Sequence, residues 1–386
     1  MENAGAGESP KGHMREGSQP AQPPGLIIAG LLAGAWRPGA PPPEVGPSEL
    51  AQVANLLHQT GTGALAWWRL RGTLLENTEA AQGLRQAYRI HALEAVRHAV
   101  RTVAALDRLD AAAIEALVVK GWAVARHYPE VGLRSYTDLD LIVPPGRVPA
   151  ARATLAGPPD LGYPVDLHDG PAKLYQFAFE DLAERAEVAE LQGRPVRVLC
   201  PEDSLRLLAL HALRHGVFRP LWLIDLAVEV ECRPAGFDWA RCLGPDERRA
   251  DWVLCALALA HRLLGARIEG TPAEARAATL PPWFVRAVLR NWAHGDGRSH
   301  LEPVFRAFVA RLRHPAELWS EARRRWDRPI EATLEVRGPM NGLPRWPFQV
   351  GAVVRRMPEF FEALRERAAA RGINSAASTP WLRRQT

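Results

Sequence analysis

The sequence predicts an α+β fold: a small mixed β-sheet flanked by helices, followed by a mostly α-helical C-terminal half. Three observations carry this. Apolar residues recur at helical spacing before residue 110 and again beyond residue 201. Between those regions lie short β-branched or alternating runs, Ile114–Lys120, Tyr136–Val143, Tyr163–His168 and Pro195–Cys200, punctuated by glycine and proline. With 47% hydrophobic and 24% charged residues the composition is that of a folded chain, and 386 residues give room for two to three domains.

Taken in order, residues 1–24 are Gly, Pro, Ser and charge without periodicity and read as a disordered leader. A short apolar helix is predicted within Gly25–Trp36 and is ended by the proline-rich segment Pro38–Pro47. Ser48 offers an N-cap to the next helix, with Glu49 in its first turn and Leu50, Val53, Ala54 and Leu57 at helical spacing. A longer helix is expected near residues 84–108. There Leu93, Val96, Val100, Val103 and Leu106 line one face while Arg85, Arg89, Arg97 and Arg101 occupy others.

These readings divide the chain into an N-terminal helical region (25–110), an α/β core (111–200), a helical domain (201–370) and a flexible tail (371–386). In Val350–Ala370, Val353, Val354, Met357, Phe360, Phe361 and Leu364 follow helical spacing and predict an amphipathic helix packed on the protein's own core. The basic stretches Arg323-Arg324-Arg325-Trp326 and Arg355-Arg356 are of a kind that meets RNA or an acidic membrane surface.

The apolar run Gly25–Trp36 is too short to span a bilayer, which takes about 20 apolar residues. No compact basic segment precedes it as in a signal peptide. Cys200, Cys232, Cys242 and Cys255 are scattered without a C-x-x-C pair, which excludes a zinc ribbon and a redox dithiol. A reduced, cytoplasmic protein with no membrane partner is expected. The net charge of +5 and pI near 9.3 suit an anionic partner, but an arginine-rich composition accounts for them equally well.

The chemistry concentrates at Asp138 and Asp140. Two carboxylates at i and i+2 on a strand project from the same face, where uncompensated they repel, and such a pair suits a shared divalent cation. Magnesium prefers oxygen ligands and binds through one or two carboxylates plus substrate phosphates. Asp166 on the following strand is a third acid, a ligand or a base, and His168 shares its face. Ligand hardness favours Asp166. A lone D-x-D is common by chance, so the surroundings matter. Leu141-Ile142-Val143 is apolar enough to be central, and the strand preceding it ends at Lys120-Gly121, a turn where glycine lets backbone approach phosphate.

The stretch from Val118 to Val143 is similar to an uncharacterised bacterial nucleotidyltransferase family of the polymerase-beta superfold. The matching features are Lys120-Gly121, a helix ending at Tyr128-Pro129, Gly132, Arg134 and Asp138-Leu139-Asp140. Val165-Asp166-Leu167-His168 resembles its third-strand motif, and Pro201-Glu202-Asp203 through His211, His215, Trp222 and Asp225 its helical continuation. The resemblance covers roughly residues 25–310.

It implies a nucleotidyltransferase core that transfers a nucleoside monophosphate from a nucleoside triphosphate to an acceptor, with magnesium or manganese as cofactor. The metal ligands implied are Asp138, Asp140 and Asp166, with Lys120, Gly121 and Arg134 on the phosphates. The acceptor, a small molecule, an RNA or a protein, is not specified. Better-known members of the superfold carry glycine-serine where this chain has Lys120-Gly121. That departure raises a second reading, a non-catalytic or accessory protein that keeps the fold and serves a biosynthetic gene cluster. His211 and His215, at i and i+4, share a helix face and with Asp225 formally match a metal site. The expected role of all three is structural, in a polar network behind the site.

Overall fold

A computed structural model describes residues 22–156, 164–169, 177–295, 326, 328–358 and 365. Four helices come first: α1 Pro24–Leu32, α2 Pro47–Gln59, α3 Gly63–Leu70 and the long α4 Glu79–Ala111. The sheet segment follows: β1 Leu117–Val119, α5 Gly121–Ala125, β2 Leu139–Val143, α6 Val148–Leu155, β3 Val165–Asp169, α7 Phe179–Arg185, β4 Glu187–Leu191 and β5 Arg194–Val198. The remainder is helical: α8 Pro201–Arg214, α9 Pro220–Glu231, α10 Trp239–Leu243, α11 Glu247–Leu264, α12 Ala273–Ala278, α13 Pro282–His294 and α14 Pro329–Glu335. The α+β expectation is met.

The five strands run in the order β3-β2-β1-β5-β4. β1 is antiparallel to β2 and parallel to β5, and β2 is parallel to β3 with Asp140 opposite Asp166 and Ile142 opposite His168. Every residue of β2 is buried, as its place between β3 and β1 requires. Leu139, Leu141 and Val143 pack in the core shared with α4 and α6, while Ile142 joins Leu117, Val119 and residues of α7 and α8 on the other side. Because side chains alternate, Asp140 lies on the α7/α8 side. β4 went unpredicted because Glu187 and Glu190 give it the composition of an exposed edge strand. It pairs with β5 as a hairpin whose turn, Gln192-Gly193, has positive φ at both positions (+54° and +76°).

Three local expectations are corrected. Gly46, not Ser48, caps α2: Pro47 takes its first position and Glu49 Oε2 accepts from the Gly46 N–H at 2.9 Å. On α4 the stripe Leu93, Val96 and Val100 is 55–68% exposed, and the buried face instead carries Ala87, Ala95, Ala99, Ala105, Leu106 and Leu109. The small side chains let the backbone come close: a Cβ on Gly132 (φ +90°) would sit 2.6 Å from the Ala92 backbone. Apolar periodicity marks a face without saying which of two faces docks. Helical backbone covers 346–358, where Val353, Val354 and Met357 are exposed rather than packed. Phe360, Phe361, Leu364 and Arg323–Arg325 lie outside the described residues.

A single large core joins α1–α3 to α8–α13, with Ile28, Leu57, Leu213, Ile224, Trp252 and Trp292 among its members. The helices on either side of the sheet segment in sequence are thus one packed body in space. The four cysteines are free, three of them buried. No helix among the described residues is long and apolar enough to cross a membrane.

Candidate active site

β1, β2 and β3 carry the chemistry to one place. β1 delivers Lys120 at the turn into α5, where Lys120 has φ +53° and ψ −137°, a conformation that costs a non-glycine residue about 1–3 kcal/mol. Its ammonium lies 2.5 Å from Asp140 Oδ1 on the neighbouring strand. The register of β2 and β3 then sets Asp166 beside Asp140, and His168 Nε2 lies 3.1 Å from Asp140 Oδ1 and 3.4 Å from Asp166 Oδ2. Ligand atoms of Asp140, Asp166 and His168 all fall within 4.8 Å of one another. The sequence offered Asp166 and His168 as alternatives. The pleat brings both.

Asp138 stands immediately before β2, half-buried, outside that cluster but near enough to feel Asp140 and Asp166. Burial, reinforced by the Asp140 charge, raises its carboxyl above the ordinary range. Asp140 behaves oppositely. Burial works to raise it, yet the hydrogen bond with His168 and the Lys120 charge outweigh burial and hold it low. A low, ionised carboxylate beside a second, more open one suits a divalent cation. The donor set of two carboxylates and one imidazole fits a divalent cation.

Arg134 is turned away from this cluster. It is 7% exposed and grips the fully buried Asp225 twice, Nε to Oδ1 and Nη2 to Oδ2, both at 2.8 Å, while Tyr128 Oη donates to Oδ1 at 2.7 Å. The geometry favours a bolt between the segment before β2 and α9 over a phosphate ligand. His211 and His215 do not join Asp225. Their rings lie 4.6 Å apart and pack against Trp222, and burial depresses both, His215 to about 4, so both are neutral near pH 7. Gly121 sits where expected, with φ +29° and Tyr136 beside it.

Two charged residues that the sequence did not single out border the site. One is Arg219, before α9, close enough to Asp138 for their charges to interact. The other is Glu229 on α9, 6% exposed, which lines a small cavity together with Lys120 and Arg126. Burial raises Glu229 from 4.5 to about 8, with Arg126 opposing. A group protonated more readily in the fold than in the unfolded chain contributes full stability below about pH 4.5 and loses it as pH climbs through 8. Glu229→Gln removes that titration. Its advantage over wild type is expected to grow from nothing at pH 4 to roughly 2–4 kcal/mol at pH 9. Urea midpoints at pH 4, 7 and 9 check this, and parallel wild-type and variant curves would refute it.

A sequence profile described as an uncharacterised nucleotidyltransferase family matches residues 46–169 and 158–265, together more than half of the chain. No curated protein and no solved structure matches significantly.

Proposed function

The chain belongs to the uncharacterised nucleotidyltransferase family, and on that premise we propose that it transfers a nucleoside monophosphate from a nucleoside triphosphate to a hydroxyl, phosphate or amine of an acceptor, with magnesium or manganese as cofactor. The observation that carries this is the convergence of Asp140, Asp166 and His168 ligand atoms within 4.8 Å. These three residues would hold the cation, with Asp138, immediately before β2, as a supplement. A divalent cation bound there would supply positive charge against the triphosphate oxygens.

The reaction divides the remaining work among the chain's own groups. An acceptor oxygen or nitrogen attacks the α-phosphorus, the bond from phosphorus to the bridging oxygen breaks, and that oxygen leaves with the electron pair on pyrophosphate. The acceptor's proton passes to Asp166, the most open of the cluster with 57% of its side chain exposed. Lys120, whose ammonium sits 2.5 Å from Asp140 Oδ1 at the turn into α5, would contact the triphosphate as a point charge. Gly121 keeps the turn open to phosphate oxygens. The acceptor is a small molecule, an RNA or a protein.

One observation favours the accessory-protein reading: Lys120 already neutralises Asp140 at 2.5 Å. Calorimetric titration of ATP, GTP, CTP and UTP, with magnesium or manganese, into wild type and Asp138→Ala/Asp140→Ala separates the two. The enzyme reading expects metal-dependent binding of at least one nucleotide, lost in the double variant. A folded wild type that binds none of the four would leave the accessory reading.

A further inference from the structure

A cavity of about 500 Å³ opens between the α2–α3 turn, one face of α4 and the segments that lead into β2 and β3. This is the size of a small-molecule site. Tyr136 and Thr137 line it directly before Asp138, and Tyr136 also lies against Gly121, so the cavity adjoins the reacting centre. None of Lys120, Gly121, Asp140, Asp166 or His168 lines it, and Arg134, which does, has its guanidinium held by Asp225. The groups assigned to the triphosphate and its cation therefore leave this space to something else.

Its wall is electropositive and incompletely satisfied. Arg219 faces it, donating from Nε to the Thr60 carbonyl at 3.1 Å, and among the described residues no carboxylate pairs with its two terminal nitrogens. The fold makes room for this guanidinium: a side chain on Gly61 (φ +74°) would collide with Arg219 Nη2 and with Ser135 Oγ, which donates to the Gly61 carbonyl. His91, also on the wall, buries an Nδ1 atom that has no hydrogen-bond partner. Burial, with His58 and Arg219 nearby, keeps His91 neutral. Glu94 is the one acid on the wall, and it accepts from Arg97 at 3.0 Å. Burial opposes the Arg219 charge more than the nearby Asp225 and Asp138 sustain it, and an incoming anion that accepts from the guanidinium twice offsets that cost.

We propose that this cavity is the acceptor subsite and that it takes an acceptor bearing a carboxylate or phosphate, held on the terminal nitrogens of Arg219 on the wall shared with His91. The proposal rests on the nucleotidyltransferase reading for the word acceptor, but the anion site itself does not. With its anion on Arg219, the acceptor presents its nucleophile beside Asp138, next to the triphosphate.

Inorganic phosphate serves as the probe, titrated calorimetrically into the full chain with and without a saturating non-hydrolysable nucleoside triphosphate analogue and magnesium. Wild type is expected to bind phosphate in both conditions, Arg219→Gln about tenfold or more weakly, with analogue affinity unchanged by the variant. His91→Glu, which sets a competing carboxylate near Arg219, is expected to weaken phosphate binding likewise and guards against a poorly folded Arg219→Gln. Phosphate binding that disappears once the analogue is bound, or an analogue that Arg219→Gln weakens tenfold, would assign Arg219 to the donor triphosphate and overturn the proposal. Phosphate binding unaffected by either variant, or absent from wild type, would also overturn it. Should wild type bind phosphate through Arg219 but no analogue, the nucleotidyltransferase reading fails while the anion site stands.

Discussion

Asp140→Asn is expected to raise the dissociation constant for a metal–nucleoside triphosphate complex by roughly a hundredfold or more, a loss near 2.7 kcal/mol. The substitution keeps the shape and removes the charge. Asp140 is the only buried member of the cluster, the one whose Oδ1 is approached by both Lys120 and His168, and the one held in its ionised form. An amide there leaves the ammonium facing a dipole and offers a divalent ion a weak, neutral ligand. Calorimetry with manganese and the preferred nucleotide measures the effect. Asp166→Asn, on an exposed side chain, is expected to cost less. Wild-type affinity in a folded Asp140→Asn protein would show that the carboxylate is no ligand and would remove the main support for catalysis.

How much of this was legible in the sequence depended on the range of each interaction. The i, i+2 spacing of Asp138 and Asp140 and the strand around Asp166 are local, and the structure shows the strands with Asp140 and Asp166 in register. The turn at Lys120-Gly121 was legible too, but not that Lys120 itself has positive φ, because only packing enforces a strained backbone on a non-glycine residue. The face of α4 was misread because its apolar stripe is the wider chemical signal, while the alanines that allow close docking are silent in a periodicity count. Arg219 gave no signal at all. Its meaning comes from a cavity assembled by five separate segments, and in an arginine-rich sequence one more arginine before a proline stands out from nothing.

Arg134 shows most sharply what the chain alone withheld, since its partner lies 91 residues away. Asp225→Ala is expected to destabilise the protein by about 3–5 kcal/mol, because it strands a buried guanidinium without a counter-charge. Burial opposes the charge on Arg134 and Asp225 sustains it, so the pair stands or falls together. Tyr128→Phe, which deletes one hydrogen bond to the same carboxylate, is expected to cost only about 1 kcal/mol. The double replacement Arg134→Met/Asp225→Leu restores complementary burial without charge and is expected to recover most of the loss in urea denaturation. That recovered protein decides the role of Arg134. A bolt between the sheet segment and α9 can be apolar, so nucleotide affinity should stay within a few fold of wild type. A phosphate ligand cannot be replaced by methionine, so a stable double variant that no longer binds nucleotide would return Arg134 to the triphosphate, and Asp225 would then be the residue that aims it.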